Sequence, residues 1–194
     1  MGKGSEDPRM TGHPESDNEI IRQCLEGDAD RYAVLVDRYR VLAFSVAYRM
    51  LGDSDEANDA AQDSFIAAYN DLGNFRKGAK FSTWLYRIVL NRCHDRLRSR
   101  RSTVPVEDLA GELRDPRRSP ERMAADRETR DQLQGALDRL APESREALVL
   151  KHIEGLSYEE MSEILDASVG ALKVRAHRAR EHLKALLERS GVSP

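Results

Sequence analysis

Apolar residues recur every three or four positions along most of the chain, which is the spacing of one buried face of an α-helix. No segment shows the alternation of apolar and polar positions that a half-buried strand requires. The pattern therefore predicts an all-α protein. The second predicted helix illustrates the stripe, with apolar side chains at Val34, Leu35, Val41, Leu42, Val46 and Met50.

Capping and breaking residues set the limits of eight predicted helices. Gly52 ends the second helix, and Pro142 suits a first helical turn. Three short polar residues are each followed by Glu at the third position, the pair that closes a helix start: Ser16–Glu19, Asp53–Glu56 and Ser157–Glu160. The predicted helices span residues 16–25, 29–51, 53–72, 81–101, 121–140, 143–153, 157–165 and 169–189.

A stretch without helical periodicity divides these helices into two groups. Residues 102–120 contain three prolines and one glycine, a composition typical of a linker. We therefore expect two small helical domains, over residues 17–101 and 121–194, joined by this extended linker. Residues 1–16 lack the apolar core of a signal peptide, so we expect a flexible leader and no export by that route.

The last two predicted helices have the form of a helix-turn-helix, with a four-residue turn between them. Along the second helix, five apolar side chains share one face and predict its core: Leu172, Ala176, Ala179, Leu183 and Leu186. Val174, His177 and Arg178 lie on the opposite face, with Lys173 beside them. This pattern favours binding to duplex DNA; the alternative is an amphipathic helix with a solvated basic face.

The charges along the chain are distributed unevenly, which the helical periodicity alone does not show. The 194 residues carry a net charge of −3, and no apolar run is long enough to span a membrane. Residues 87–101 nevertheless hold six arginines against Asp95 alone, a net charge of +5, and residues 173–189 have a net charge of +4. The remainder of the chain therefore carries −12. Two basic elements on an acidic body predict contact with a polyanion at two places.

The first basic element is the predicted helix over residues 81–101. Every fourth residue is apolar and predicts a buried seam: Leu85, Val89, Cys93 and Leu97. On the other side, Asn91 can pair with a base edge, and arginines offer forked donors to phosphate at Arg92, Arg96 and Arg98. Asp95 is unusual there. It would repel phosphate, accept from a cytosine amino group, or orient Arg92 or Arg98.

Aromatic residues surround the glycine-containing loop just before this helix, and they include Phe75, Phe81, Trp84 and Tyr86. Unstacked bases of a single strand bind to such aromatic platforms. The alternative is that Phe81, Trp84 and Leu85 fill the core, and we favour that role for much of Trp84.

No pattern of catalytic or metal-binding residues is found along the chain. Cys24 and Cys93 predict two reduced core cysteines rather than a disulfide framework or a metal site. There is no nucleophile–base pair and no phosphate-binding glycine loop. We therefore expect no catalytic residue, no metal and no cofactor, in a cytoplasmic protein.

Three segments together resemble a known family: "DEANDAAQDSFIAAY", "NFRKGAKFSTWLYRIVLNRCHDRLR" and "LDRLAPESREALVLKHIEGLSYEEMSEILDASVGALKVRAHRAR". Their order and spacing over residues 17–189 resemble bacterial sigma factors of the extracytoplasmic-function class, which contain only the second and fourth sigma regions. The resemblance implies a transcription initiation factor that binds core RNA polymerase and directs it to promoters. It also implies an anti-sigma partner and a linker that threads toward the polymerase active-site channel.

The resemblance also implies which residues form each binding site. The polymerase clamp would bind at Asp59, Gln62, Asp63 and Phe65. The −10 element would be opened and bound by the loop residues Phe75, Arg76, Lys77 and Lys80, and by Asn91, Arg92, Asp95, Arg96 and Arg98. The −35 duplex would face Lys173, Val174, Arg175, His177 and Arg178. This chain departs from the family pattern at Ala171 and Val174, where many members carry hydroxyl side chains.

Two other classes of function remain as alternatives. One is a dimeric transcriptional regulator whose N-terminal helices sense a ligand or bind a partner. Such a sensor has no reason to place Asn91 and six arginines behind an aromatic loop. The other is an enzyme acting on nucleic acid, which the absence of a catalytic constellation in the sequence disfavours.

Overall fold

The computed structural model of the protein describes residues 15–76, 78–102 and 130–189. Lys77, most of the predicted leader and most of the predicted linker lie outside these residues. Every regular element within the three described ranges is helical, as the periodicity predicts. None of the helices in these ranges is long and apolar enough to cross a membrane.

Four helices form the N-terminal half: α1 (Asp17–Leu25), α2 (Tyr32–Leu51), α3 (Ser54–Asn70) and α4 (Phe81–Ser102). The Ser16 and Asp53 side chains accept hydrogen bonds from the backbone N–H of Glu19 and Glu56, as their spacing predicts. Gly52 ends α2 in a left-handed conformation. The third helix ends at Asn70, two residues early, because a 3-10 turn follows and turns Leu72 into the core.

Helices α2, α3 and α4 pack around a common apolar core. Val46 of α2 and Leu85 of α4 are fully buried there. Val41 is instead 72% exposed. At about 100° per residue, Val41 points about 140° away from Val46 and about 160° away from the fully buried Ala43. The apolar stripe therefore overestimated the core at this one position.

The C-terminal half contains a helical stretch over residues 130–138, named α5, followed by three helices. These are α6 (Pro142–Leu148), α7 (Tyr158–Leu165) and α8 (Val169–Arg189). Pro142 begins α6, and Ser157 with Glu160 forms the reciprocal capping box of α7. The turn between α7 and α8 has the three residues that the predicted helix limits leave, one fewer than the four-residue turn expected for the motif, and Asp166 adopts a left-handed conformation in it.

One feature of α6 was not predicted from the sequence. The helix continues through Val149–Ile153 as a π-helical turn, and the Glu154 N–H donates to the Val149 carbonyl at 3.0 Å. A sequence stripe cannot distinguish this widened turn from an α-helical one, because only a single residue is inserted.

The two halves of the described chain pack against each other. A single apolar cluster joins α4 residues such as Val89 to Leu150, Met161 and Ile164 of the C-terminal half. Polar bonds between the halves accompany this apolar burial. Periodicity predicted two tethered domains and did not predict this contact.

Candidate nucleic-acid interface

Helix α4 separates a buried part from a basic exposed side. Leu85, Val89 and Cys93 are fully buried, as their spacing predicts, and Leu97 is half-buried. Burial raises the pKa of the Cys93 thiol to about 12, so this cysteine is a protonated core residue. The exposed side of the same helix contains Arg87, Asn91, Arg92, Asp95 and Arg98.

Asn91 and Arg92 lie next to each other on this exposed side. An exposed Asn side chain can pair with a base edge through its amide, while the guanidinium of Arg can bind phosphate in a forked geometry. The arrangement can therefore combine base contact with backbone contact on a single helix surface.

Asp95 pairs with Arg98 one turn along α4. Of the three roles considered from the sequence, the described structure shows the orientation of Arg98. Both side chains are more than half exposed, so the pair contributes little stability by itself. Its effect is to reduce the repulsion that a lone carboxylate would exert on phosphate.

The aromatic residues before α4 pack mainly on one another. The ring centroids of Phe75 and Trp84 are 5.3 Å apart, and those of Phe81 and Trp84 are 5.8 Å apart. Phe75 is only 9% exposed and Phe81 only 1%. This cluster anchors both ends of the loop, which agrees with the core role favoured for Trp84. The Phe75 ring has too little exposed surface in this structure to stack a base.

The loop between Phe75 and Phe81 presents polar residues outward. Arg76 and Lys80 are exposed, and Gly78 adopts a positive φ of +89° with open space around it. Lys80 Nζ lies 2.7 Å from Glu160 Oε1 of α7. That contact raises the pKa of Lys80 and, together with the capping bonds of Ser157, lowers the pKa of Glu160 to about 2.

Acidic residues of α3 neutralise part of α4. Arg96 Nη2 donates to Asp63 Oδ2 at 2.7 Å, and Arg100 Nη2 lies 2.7 Å from Glu56 Oε2. Arg100 also donates to the Leu51 carbonyl at the end of α2. Asp63 and Arg96, which the resemblance assigns to polymerase and to DNA, are therefore partners in this structure.

The remaining residues assigned to polymerase lie along the same helix. Asp59 and Gln62 are exposed, whereas Phe65 is 7% exposed. Gln62 and Phe65 line an open groove of about 460 Å³ between α2 and α3. The other residues that line this groove are Tyr32, Val36, Arg40, Phe44, Asn58, Ala61, Ile66 and Tyr69.

The second basic helix, α8, is oriented by its apolar face. Leu172, Ala176, Ala179 and Leu186 are buried as predicted, and Leu183 is half-buried. Lys173, Val174, His177 and Arg178 are exposed on the other side. A helix that presents a basic surface after a short turn can enter the major groove of a duplex.

Two cations near the start of α8 are directed to its sides. Lys173 Nζ lies 5.8 Å from the centre of the Tyr158 ring, and Lys151 Nζ lies 4.7 Å from the same ring. Arg175 is half-buried, with its Nη1 3.3 Å from Glu146 Oε1. Arg175 therefore does not project toward solvent as the other predicted −35 residues do.

Polar bonds between the two halves join residues whose pairing the sequence did not predict. Tyr86 Oη donates to Glu154 Oε2 at 2.7 Å, and His94 Nε2 lies 2.6 Å from Glu146 Oε2. The hydrogen bond to Glu146 raises the pKa of His94. These pairs, and Lys80 with Glu160, join residues 52 to 80 positions apart, so no local pattern could have indicated them.

The end of α2 is held by the C-terminal half in a second set of bonds. Gln134 Nε2 donates to the Arg49 carbonyl at 3.3 Å, and buried Arg145 donates to the Met50 carbonyl. Arg145 also donates to Asp138 Oδ1 at 3.0 Å. A Cβ at Gly52 would lie 2.6 Å from Asp138, so the two halves approach closely at this glycine.

Within the described residues, no group of three or more His, Cys, Asp or Glu side chains could hold a metal ion. The two cysteines are both free, Cys93 buried and Cys24 half-buried. The candidate interface thus consists of binding surfaces made of cations, amides and apolar side chains.

Two family models match this chain. Sigma-70 region 2 matches residues 35–103, and Sigma-70, region 4 matches residues 130–183. The first range contains the exposed basic side of α4, and the second contains α7 and the start of α8.

Similar proteins match across most of the chain. ECF RNA polymerase sigma factor SigW of Bacillus subtilis is 37% identical over 176 residues, which is 86% of this chain and 94% of that protein. The RNA polymerase sigma-H factor of Pseudomonas aeruginosa is 34% identical over 184 residues, which is 90% of this chain and 95% of that protein.

Solved structures show the same fold. CnrH in complex with the cytosolic domain of CnrY has a TM-score of 0.66 and 31% sequence identity, covering 90% of this chain and 99% of that chain. RpoE of Bartonella quintana in complex with the anti-sigma factor NepR has a TM-score of 0.67 and covers 81% of this chain and 96% of that chain. Its identity of 24% supports the fold alone.

Proposed function

This chain belongs to the extracytoplasmic-function class of sigma factors, the promoter-directing initiation subunits of bacterial RNA polymerase, and we propose that it divides this function among three surfaces. Helix α3 binds core polymerase, α4 with its preceding loop binds the opened −10 element, and α8 binds the −35 duplex. The observation that carries the proposal is the exposed side of α4, where Asn91 lies among arginines.

The polymerase surface is assigned to the exposed side of α3 and the adjoining groove. Asp59, Gln62 and Asp63 offer polar contacts, and Phe65 contributes apolar surface at the groove. An apolar floor with a polar rim is the usual anatomy of a protein interface. Because Asp63 also pairs with Arg96, polymerase binding and DNA binding share one ion pair.

The −10 surface binds a strand that has lost its stacking in the duplex. Its phosphates are bound by Arg92, Arg96 and Arg98, with Asp95 orienting Arg98. Asn91 contacts a base. Unstacking costs a few kcal/mol per base, so a captured base needs protein contacts in return.

The loop before α4 contributes further cations to the same surface. Arg76 and Lys80 are exposed and are assigned contacts to the opened strand. Lys77, which is assigned the same role, lies outside the described residues. Phe75 supports the loop from within rather than stacking on a base.

The −35 surface is the exposed start of α8. Lys173, His177 and Arg178 provide donors for phosphates or base edges, and Val174 lies between them. Arg175 can contact the −35 duplex only after its ion pair with Glu146 is broken, because its guanidinium lies against that carboxylate in this structure.

The wider organisation follows from the same proposal. We assign residues 17–101 and 121–194 to the two binding domains, 102–120 to a linker and 1–16 to a leader. The chain acts in the cytoplasm and performs no catalysis itself, because polymerase carries out the chemistry. An anti-sigma partner is proposed because CnrH, a structural relative with 31% sequence identity, was solved in a complex with the cytosolic domain of CnrY.

The test uses purified core polymerase with and without the full chain. Genomic fragments retained by the mixture would first be sequenced, and a retained promoter would then be made with a pre-melted −10 segment. We expect a stable complex with this DNA only when the chain and core polymerase are both present. Failure of the chain to bind core polymerase, or tight binding of a dimer to duplex DNA without polymerase, would favour the dimeric regulator instead.

A further inference from the structure

The start of α8 places an apolar side chain at the centre of its exposed face. Leu172 and Ala176 are fully buried, and Val174 lies between them in sequence. At about 100° per residue, Val174 points about 160° away from each of them. Its side chain is 50% exposed, so it faces away from the core rather than along its edge.

The same region of α8 is open one turn before Val174. A Cβ added at Gly170, one turn earlier, would meet no atom within 4 Å. Lys173 reaches toward Tyr158, and Arg175 reaches toward Glu146. The two cations that flank Val174 in sequence are therefore directed to the sides of the helix. His177 and Arg178 follow one turn later and are exposed.

The four bases present different chemical groups to a side chain in the major groove. Guanine, cytosine and adenine present hydrogen-bonding groups there, whereas thymine also presents its C5-methyl group. Valine has no side-chain donor or acceptor, so it cannot pair with the hydrogen-bonding groups of any base, the O4 of thymine included. Opposite thymine it can bury a methyl group against its own.

We propose that Val174 is a specificity-determining residue that selects a thymine in the −35 duplex through its C5-methyl group. The inference deepens the function proposed for α8 and rests on it. Arg178 and His177 position the helix by polar contacts, while Val174 supplies an apolar contact. The contact lies in the first turns of α8, the part of a recognition helix that reaches base edges.

The experiment removes the methyl group from the DNA and the apolar contact from the protein. Holoenzyme reconstituted from core polymerase and the full chain would select bound duplexes from a randomised −35 segment. Each thymine of the selected duplex would then be replaced, one at a time, by deoxyuridine, which lacks only the methyl group. Binding would be measured for the wild-type chain, for Val174→Ala and for Val41→Ala, an exposed valine on α2.

The expected result is one thymine whose replacement weakens wild-type binding by about fourfold, the factor for burying one methyl-sized group. Val174→Ala should remove this difference, and Val41→Ala should retain it. The proposal is overturned if every deoxyuridine substitution leaves wild-type binding unchanged, or if Val174→Ala retains the full difference. In both cases the selected duplex still binds, so the function proposed for α8 stands. Failure of the wild-type holoenzyme to enrich any duplex would overturn that function as well.

Discussion

The two basic helices have similar net charges but direct their cations differently. On α4, Arg96 and Arg100 pair with Asp63 and Glu56 of α3, and Arg98 pairs with Asp95. On α8, Arg175 pairs with an acid on another element. Two further cations of α8, Arg180 and Lys184, pair with Glu181 and Glu188 of the same helix. His177 and Arg178 at its centre are exposed.

This difference shows that a count of charges overstates the attraction of α4 for phosphate. Acids already neutralise Arg96, Arg98 and Arg100, so these three arginines can bind phosphate only after their pairs rearrange, whereas Arg87 and Arg92 are exposed on the same helix. Exposed ion pairs contribute little stability, which leaves them easy to exchange for phosphate. On α8, the exposed centre of the helix is available without such an exchange. Substitutions at four positions test this contrast between the helices and the packing of the two halves. They are given in order of decreasing expected effect.

Reversing the charge at Asp63 should have the largest effect, because it acts on polymerase binding and on Arg96 together. For Asp63→Arg we expect core polymerase to bind at least about tenfold more weakly, since like charges at an interface cost several kcal/mol. This affinity would be measured by titrating the labelled chain with core polymerase. Asp63→Asn is the matched control: it keeps the shape and releases Arg96, so the salt dependence of single-strand binding should steepen. Unchanged polymerase affinity in Asp63→Arg would remove Asp63 from that interface.

Truncation of the Arg178 side chain tests whether the exposed centre of α8 binds DNA. Arg178→Ala should weaken −35 duplex binding by about 1–3 kcal/mol if the side chain reads a base, and should mainly reduce the salt slope by about 1 if it binds phosphate. Holoenzyme binding at several salt concentrations distinguishes the two. Arg180→Ala is the control, because Arg180 pairs with Glu181 on the same helix. Equal losses in the two variants would argue against a central reading surface.

A methyl group at Gly52 tests the close approach of the two halves. Gly52→Ala and Gly155→Ala both place alanine at a left-handed position, which costs about 1–2 kcal/mol. Only at Gly52 would the new Cβ meet Asp138, pushing it from Arg145. We expect Gly52→Ala to be about 1 kcal/mol more destabilising than Gly155→Ala in denaturant unfolding. Equal costs would mean that the halves do not stay in contact in solution.

The contact between α4 and α6 should weaken at alkaline pH. Glu146 raises the pKa of His94, with Glu143 adding attraction and Arg98 opposing it. A raised pKa means that the stabilisation is complete below the ordinary value of about 6.5 and is lost as pH rises through the folded-state value. The free energy of unfolding should fall by about 0.5–1 kcal/mol from pH 6 to pH 9. His94→Gln should show a flatter profile, and an identical profile would exclude this pair as the cause.

Much of the fold could be predicted because it is encoded locally. The periodic seam of α4, the stop at Gly52, the helix start at Ser157 and the core face of α8 depend on residues three or four apart. The exposure of Val41 and the π-helical turn after α6 could not be predicted in this way. An apolar stripe does not record the exact width of the buried face or a single inserted residue.

The candidate site was predictable in its residue types but not in its pairings. Asn91 and the arginines are visible as an exposed side of α4. The pairing of Asp63 with Arg96, and of His94 with Glu146, depends on how distant helices meet. The burial of Phe75 could not be predicted either. Its position in the sequence suggested a stacking platform, but tertiary packing buries its ring.

In the proposed function α4 binds an opened strand while α8 binds a duplex, and the variant Asn91→Ala separates these two activities. Holoenzymes containing the wild-type chain or Asn91→Ala would be compared on one selected promoter, measuring closed-complex affinity and the opened fraction by fluorescence of a base analogue in the −10 element. We expect Asn91→Ala to lower the opened fraction and to leave closed-complex affinity within about twofold, because the Asn91 amide is proposed to contact only an unpaired base. An equal loss in both measurements, or no loss of opening, would contradict it.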